Sequence, residues 1–110
     1  MTNLAALKYL CNAIANTFYP DESTLELALF NAEINPEASA TPKDANIFRV
    51  AVALIRGYVE SSRTENGVST SVMQDAVEKS LVYWCNYYGL NADEELGDFL
   101  RVIEDGSNIW

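Results

Sequence analysis

Histidine is absent from this chain of 110 residues. Its absence removes the usual general base near neutral pH and the commonest metal ligand. The sequence also lacks a glycine-rich phosphate loop, a paired-cysteine zinc pattern and a calcium-loop spacing of acidic residues. We therefore expect no enzymatic activity, no cofactor and no metal.

Basic residues are scarce, since seven lysines and arginines accompany sixteen acidic residues and give a net charge of -9. Such a field repels polyanions and removes most of the counterion-release drive for DNA binding. We expect no sequence-specific binding of nucleic acid. The charge would suit a surface past which DNA moves without sticking, but acidity is also a common means to solubility.

Long apolar runs and linkers are missing as well. The longest strongly apolar run, Val50 to Ile55, is too short to cross a bilayer, and the first residues do not form a signal peptide. Cys11 and Cys85 fall among apolar residues at helical spacing, which is typical of small buried hydrophobes. The sequence leaves a disulfide between them open, although a reduced cytoplasmic setting fits better.

Apolar residues at three- and four-residue intervals predict helices in the first part of the chain. The first helix should run from about Asn3 to Phe18. A second should begin at the capping box Ser23-Thr24-Leu25-Glu26. Its inner stripe excludes Leu27 and Phe30, which lie on other faces and are available for a second contact.

The middle of the chain predicts two longer helices. Thr41-Pro42 should open the third helix, which is apolar around most of its circumference from Ile47 to Ile55 and should be the buried centre of the fold. The polar stretch 61–67 and the alternating stretch 68–72 indicate a loop that holds one short strand or extended arm. The fourth helix should span about Met73 to Tyr88.

The last residues are harder to interpret. Gly89 should stop the fourth helix, and Asp93 to Leu96 could form one acidic helical turn. Residues 99–103 are readable as helix or strand, and we favour a short helix followed by an extended tail. The predicted fold is all-α: a small bundle of four to five helices with one short extended loop segment and an extended C-terminal tail, divided into a domain at 1–98 and a tail or arm at 99–110.

Aromatic residues crowd the end of the fourth helix. Tyr83, Trp84, Tyr87 and Tyr88 occupy more than one helical face, so a single core does not easily absorb them all. Some should meet a partner chain. The equally weighted alternative is that they pack against the loop and tail of their own chain.

Arg49, Arg56 and Arg63 are spaced by seven and would share one side of the third helix if it persisted that far. They could touch phosphate or a neighbour's carboxylates, but ion pairs with the chain's own acids are the favoured interpretation. The carboxylates at Asp93, Glu94, Glu95 and Asp98 are interpreted as a solvated face rather than a metal or acid–base site.

The order of elements resembles the small head-tail connector (adaptor, head-completion) proteins of tailed phages and related prophage proteins. The resemblance rests on four features: the leading helix, the start Asp21-Glu22-Ser23-Thr24-Leu25-Glu26-Leu27-Ala28-Leu29, the Thr41-Pro42 opening, and Gly67-Val68-Ser69-Thr70-Ser71 before another helix. It covers most of the chain, including the ending Ser107-Asn108-Ile109-Trp110.

This resemblance implies a helical subunit that assembles as a homo-oligomeric ring between portal and tail proteins, in a virion or in the bacterial cytoplasm when expressed from a prophage. The loop 62–72 and the tail 99–110 would join neighbours, the former by strand addition. An acidic lumen would let DNA slide. The interface residues would be Val68, Val72, Tyr83, Tyr87, Ile109 and Trp110. The alternative function is a small acidic adaptor or regulatory protein-binding module.

Overall fold

The fold is a bundle of α-helices. The computed structural model describes residues 1–15, 18–65 and 70–97, and it describes side chains there except at 59–65 and 70–75. These residues form α1 (Asn3–Ile14), α2 (Glu22–Asn31), α3 (Ala45–Glu65) and α4 (Thr70–Tyr87), followed by a short helical segment at 92–97. No strand occurs among them. The predicted all-α bundle of four to five helices is confirmed.

The central element is α3, which packs against α1, α2 and α4. Each helix contributes one apolar stripe to a single core, and burying each large side chain stabilises the fold by about 1.5–3 kcal/mol. The largest fully buried side chains are Leu7 and Cys11 of α1, Leu25 and Leu29 of α2, Ile47, Phe48 and Ile55 of α3, Leu81 and Cys85 of α4, and Leu96.

The start of α1 is tied to the segment that follows α2. The amide of Asn3 donates to the carbonyl of Ala38 at 2.9 Å, and the amide of Leu4 donates to the carbonyl of Pro36 at 3.0 Å. The buried side chain of Asn3 donates to the carbonyl of Asn35 at 2.9 Å. These bonds satisfy helix-start donors that would otherwise lack partners, and they fix the segment after α2 against α1.

The predicted end of α1 was wrong by four residues. The helix ends at Ile14, and the amide of the C-cap residue Ala15 donates to the carbonyl of Cys11. Phe18 still joins the structure, because its ring stacks on Tyr58 of α3 with centroids 4.6 Å apart. The residue therefore packs as its apolar character suggested, but outside the helix.

The predicted capping box at the start of α2 was also wrong. The N-cap is Asp21 rather than Ser23, because the amide of Thr24 donates to Asp21 Oδ1 at 2.8 Å. The hydrogen bonds from Thr24 hold the pKa of the Asp21 carboxyl below its usual value. Asp21 can cap because its own backbone is extended, with φ -74° and ψ 165°, which lets its side chain reach the Thr24 amide.

The third helix begins later than Thr41-Pro42. Asp44 precedes its first residue. Its Oδ1 accepts from the Asn46 amide at 2.9 Å, and its carbonyl accepts from the Phe48 amide at 3.1 Å. Lys43 just before it has a left-handed backbone with φ 57°. Thr41-Pro42 therefore belongs to the turn that precedes the cap.

The extended loop predicted over 61–72 was wrong at the described positions. The third helix continues through 61–65, and α4 already includes Thr70 to Val72. Serine, threonine and arginine have only a small unfavourable helix propensity within a helix that is already nucleated. The polarity of 61–65 was therefore not enough to end α3. Residues 66–69, including Val68, lie outside the described residues, as does 98–110 with Ile109 and Trp110.

Candidate interaction surfaces

Two groups of exposed apolar side chains stand out on the surface. One lies on α4 and is called here the α4 ring face, made of Tyr83, Trp84 and Tyr87. Tyr83 and Tyr87 are 60% and 53% exposed, and they lie one helical turn apart with ring centroids 6.4 Å apart. Trp84 is half-buried and meets both rings edge-on, at 5.4 and 5.5 Å.

The aromatic residue directly after α4 turns towards the core. Tyr88 is half-buried and packs on Phe48 of α3 with centroids 5.5 Å apart. Burial is the main cause that raises the pKa of Tyr88, and the charge of Asp44 adds to it. The aromatic group therefore divides: Tyr88 belongs to the core side, whereas Tyr83 and Tyr87 remain open to a partner.

A cation lies at the edge of the α4 ring face. Lys43 Nζ stands 4.9 Å from the centroid of the Tyr87 ring, within range of a cation–π contact. The contact joins the turn before α3 to the end of α4. Rings held against one another and against a lysine lose little further freedom on binding, which favours an interface.

The second group lies on α2 and is called the α2 outer face, made of Glu26, Leu27 and Phe30. Leu27 and Phe30 are 59% and 76% exposed, whereas Leu25 and Leu29 on the opposite side are fully buried. This short helix is therefore apolar on both sides. An open groove of about 910 Å³ runs between the α2 outer face and the residues after the helix, Glu33 to Pro36.

The predicted arginine stripe exists as helix geometry, but at least one member is engaged within the chain. Arg49 makes a bidentate ion pair with Glu95: Nε donates to Oε2 at 2.9 Å, and Nη2 donates to Oε1 at 2.8 Å. The pair lowers the pKa of Glu95 and raises the pKa of Arg49. Arg56 is exposed and also has a partner within the chain, while the Arg63 side chain is outside the described ones.

Acidic residues and cysteines are spread out in the part of the chain that the structure describes. No group of three or more histidine, cysteine or carboxylate side chains is placed there to hold a metal ion. Both cysteines are buried and free, as the apolar spacing indicated. Burial raises the pKa of the Cys11 thiol to about 12, so it stays protonated and unreactive near neutral pH.

Comparison with known proteins places the chain in a family. The chain belongs to DUF6706. The family is described as one of unknown function, and its model matches residues 1–110. No curated protein and no solved structure matches the chain. In this family member, none of the helices within the described ranges is long and apolar enough to cross a membrane.

The sequence indicated one of the two surfaces more clearly than the other. Tyr83 and Tyr87 were predicted as contact residues; both are exposed, and the contact itself stays a prediction. Leu27 and Phe30 were predicted to lie on other faces of α2 and to be available for a second contact, and their exposure opposite the buried Leu25 and Leu29 confirms that they lie on the outer side. Val72 lies in α4 with its side chain undescribed, and Val68, Ile109 and Trp110 stay predictions.

Proposed function

We propose that this protein is a structural subunit that works by assembling with copies of itself, as a ring-forming head-tail connector of a phage or prophage. The observation that carries the proposal is the α4 ring face. Tyrosine and tryptophan are enriched at the centres of protein interfaces, and two of these rings are more than half exposed. The sequence resemblance supplies the choice of a connector.

The joining device differs from the one that the resemblance implied. Strand addition by a loop at 62–72 needs extended backbone, but α3 reaches Glu65 and α4 begins at Thr70. The α4 ring face takes its place in the proposal as the surface that meets the neighbouring subunit. Portal and tail proteins are the proposed further partners, and the charge of -9 would favour DNA passage over DNA binding.

The test is the oligomeric state of purified protein. Light scattering should show assemblies that grow with concentration, and electron microscopy should show rings, most clearly after a portal protein is added. The double variant Tyr83→Ser/Tyr87→Ser should stay at the monomer mass of 12.2 kDa. A wild type that remains monomeric at high concentration and forms no ring with a portal protein would contradict the proposal.

The matched control is the double variant Tyr9→Ser/Tyr19→Ser. These tyrosines are also exposed, at 61% and 76%, but they lie outside α4. This variant removes the same side-chain groups, two phenol rings, and should leave assembly unchanged. If both double variants weaken assembly equally, the effect is one of general surface hydrophobicity and the α4 ring face has no special role.

A second candidate function is a small acidic adaptor or regulator of another protein. The uneven distribution of charge favours it, because the five acidic residues between Tyr9 and Pro42 are accompanied by no basic residue. Capture experiments in a host lysate separate the two functions. Enrichment of one host enzyme or transcription factor, in place of capsid and tail proteins, would favour the adaptor.

A further inference from the structure

The groove beside α2 lies in the most acidic part of the chain. Between residues 9 and 42 there are five carboxylates and no lysine or arginine, which accounts for -5 of the net charge of -9. Two of these residues, Glu26 and Glu33, line the groove itself. Any chain that enters it meets these carboxylates, and Arg49 of α3, which lies beside Glu33 and Ile34, is paired with Glu95.

Apolar side chains lie between those charges. Leu27 and Phe30 are spaced by three along α2 and therefore share one side of the helix, and Ile34 and Pro36 also line the groove. Phe30 alone leaves 76% of its surface in water. A partner that covered it would gain the hydrophobic free energy that folding leaves unused here.

The groove is built before any partner arrives. The amide of Ile34 donates to the carbonyl of Leu29 at 2.9 Å, which folds the chain back along the end of α2. Asn35 and Pro36 are then held against α1 by hydrogen bonds from Asn3 and Leu4. Because residues 33–36 are already ordered, a partner that binds the groove loses little free energy in ordering them.

We propose that this groove docks a basic amphipathic helix of another protein, with apolar side chains on Leu27 and Phe30 and lysine or arginine beside Glu26 and Glu33. Charge decides the occupant. A second copy that docked with this same face would set its own five carboxylates of 9–42 against these, and the segment 98–110 carries three acids and one arginine. Both are disfavoured by like charge, as is an anionic membrane. The surface is separate from the α4 ring face and goes beyond self-assembly.

The test uses an 18-residue fluorescent helical peptide with leucine on one face and lysine on the other, measured by anisotropy. Phe30→Ser should weaken binding by roughly tenfold or more, as expected for a central apolar contact. Glu26→Gln/Glu33→Gln should weaken it and flatten its dependence on salt. Tyr19→Ser and Asp93→Asn/Glu94→Gln, equally exposed changes outside the groove, should leave the affinity within roughly twofold.

The remaining outcomes distinguish the other occupants. A scrambled peptide or a leucine–glutamate peptide that binds as well as the amphipathic one overturns the proposal, and so does Phe30→Ser binding as tightly as Tyr19→Ser. Competition by a synthetic 98–110 peptide would assign the groove to the chain's own end. If Phe30→Ser no longer forms the oligomers that the wild type forms, the groove binds a second copy of the chain. Tyr83→Ser/Tyr87→Ser should bind the peptide normally, so this test can fail or succeed independently of the connector function.

Discussion

The second and fourth helices are built on the same plan, but the charged groups beside their outer apolar side chains differ in sign. Each buries one apolar face in the core and exposes apolar side chains on the other. Around α2 the nearby charges are carboxylates, including Glu26 and Glu33, whereas α4 places Tyr87 against the ammonium group of Lys43. The comparison teaches that the two outer faces suit different partners, although both are apolar.

The same two helices end in the same motif with different residues. After α2, the amides of Glu33 and Ile34 donate to the carbonyls of Phe30 and Leu29, at 3.0 and 2.9 Å. After α4, the amides of Gly89 and Leu90 donate in the same pattern to Asn86 and Cys85, both at 3.0 Å. This is the Schellman pattern, which requires a left-handed residue. Glycine fills that position after α4, and glutamate fills it after α2.

The largest effect should separate the inner and outer faces of α2. Leu29→Ala removes a fully buried side chain and should cost about 2–5 kcal/mol of unfolding free energy, whereas Leu27→Ala should change it by less than about 0.5 kcal/mol. Urea denaturation of both variants measures the difference. Leu81→Ala in α4 should match Leu29→Ala. Equal losses for Leu27 and Leu29 would mean that α2 has no free outer face.

A smaller effect is expected at the end of α4. Gly89 has φ 74°, and a Cβ added there would meet no atom within 4 Å. Gly89→Ala should therefore lose about 1–2 kcal/mol through backbone strain alone, without any steric clash. Thermal denaturation measures it, and Gly57→Ala inside α3, where the added Cβ also meets nothing, is the control and should be stabilising or neutral. If Gly89→Ala were as stable as the wild type, the motif after α4 would not depend on glycine at this position.

The reciprocal change at the end of α2 should act in the opposite direction. Glu33 holds φ 61°, a conformation that costs a residue with a side chain about 1–2 kcal/mol. Glu33→Gly relieves that strain but makes the unfolded chain more flexible, so we expect a gain of up to about 1 kcal/mol. Denaturation at matched ionic strength measures it, with Glu37→Gln as the control for lost charge. A clear loss of stability would show that Glu33 makes a stabilising contact of its own.

The sequence predicted the interior of the fold better than its boundaries. The apolar spacing in α1 correctly placed Leu7, Cys11 and Ile14 in the core, and Gly89 correctly marked the end of α4. Such signals are periodic or rest on one residue with a unique conformation. The turn at Glu33 had no such signal, because the strain there is borne by the packing of Ile34 and the segment after it.

Competing caps explain the other errors. Asp21 and Ser23 are both good N-cap residues two positions apart, and the choice between them depends on how the preceding chain enters the helix. The same holds for Thr41 and Asp44 before α3. For the candidate surfaces, the tyrosines of α4 stood out because four aromatics in six residues exceed one face. Helical spacing likewise separated Leu27 and Phe30 from Leu25 and Leu29, as burial confirms, but no sequence pattern indicated the groove beside them.

The smallest effect concerns the start of α2 and depends on pH. Asp21 accepts the Thr24 amide as a carboxylate, which lowers its pKa in the folded state. The folded state therefore binds fewer protons than the unfolded state, so stability rises with pH through this range. The contribution is complete above the ordinary value of 3.8 and is lost as the pH falls through the lower, folded-state pKa.

Nuclear magnetic resonance can follow this cap directly, because the Thr24 amide signal reports the state of its acceptor. Its titration should have a midpoint below 3.8. Asp21→Asn keeps an oxygen acceptor and removes the charge, so it should retain the helix start and abolish the titration, whereas Asp21→Ala should fray the first turn at every pH. After α4, Asn91 already caps the 92–97 segment without a charge, accepting the Asp93 amide at 2.9 Å. A Thr24 titration at or above the ordinary aspartate value would show that the Asp21 cap gains nothing from its charge and acts like the uncharged cap at Asn91.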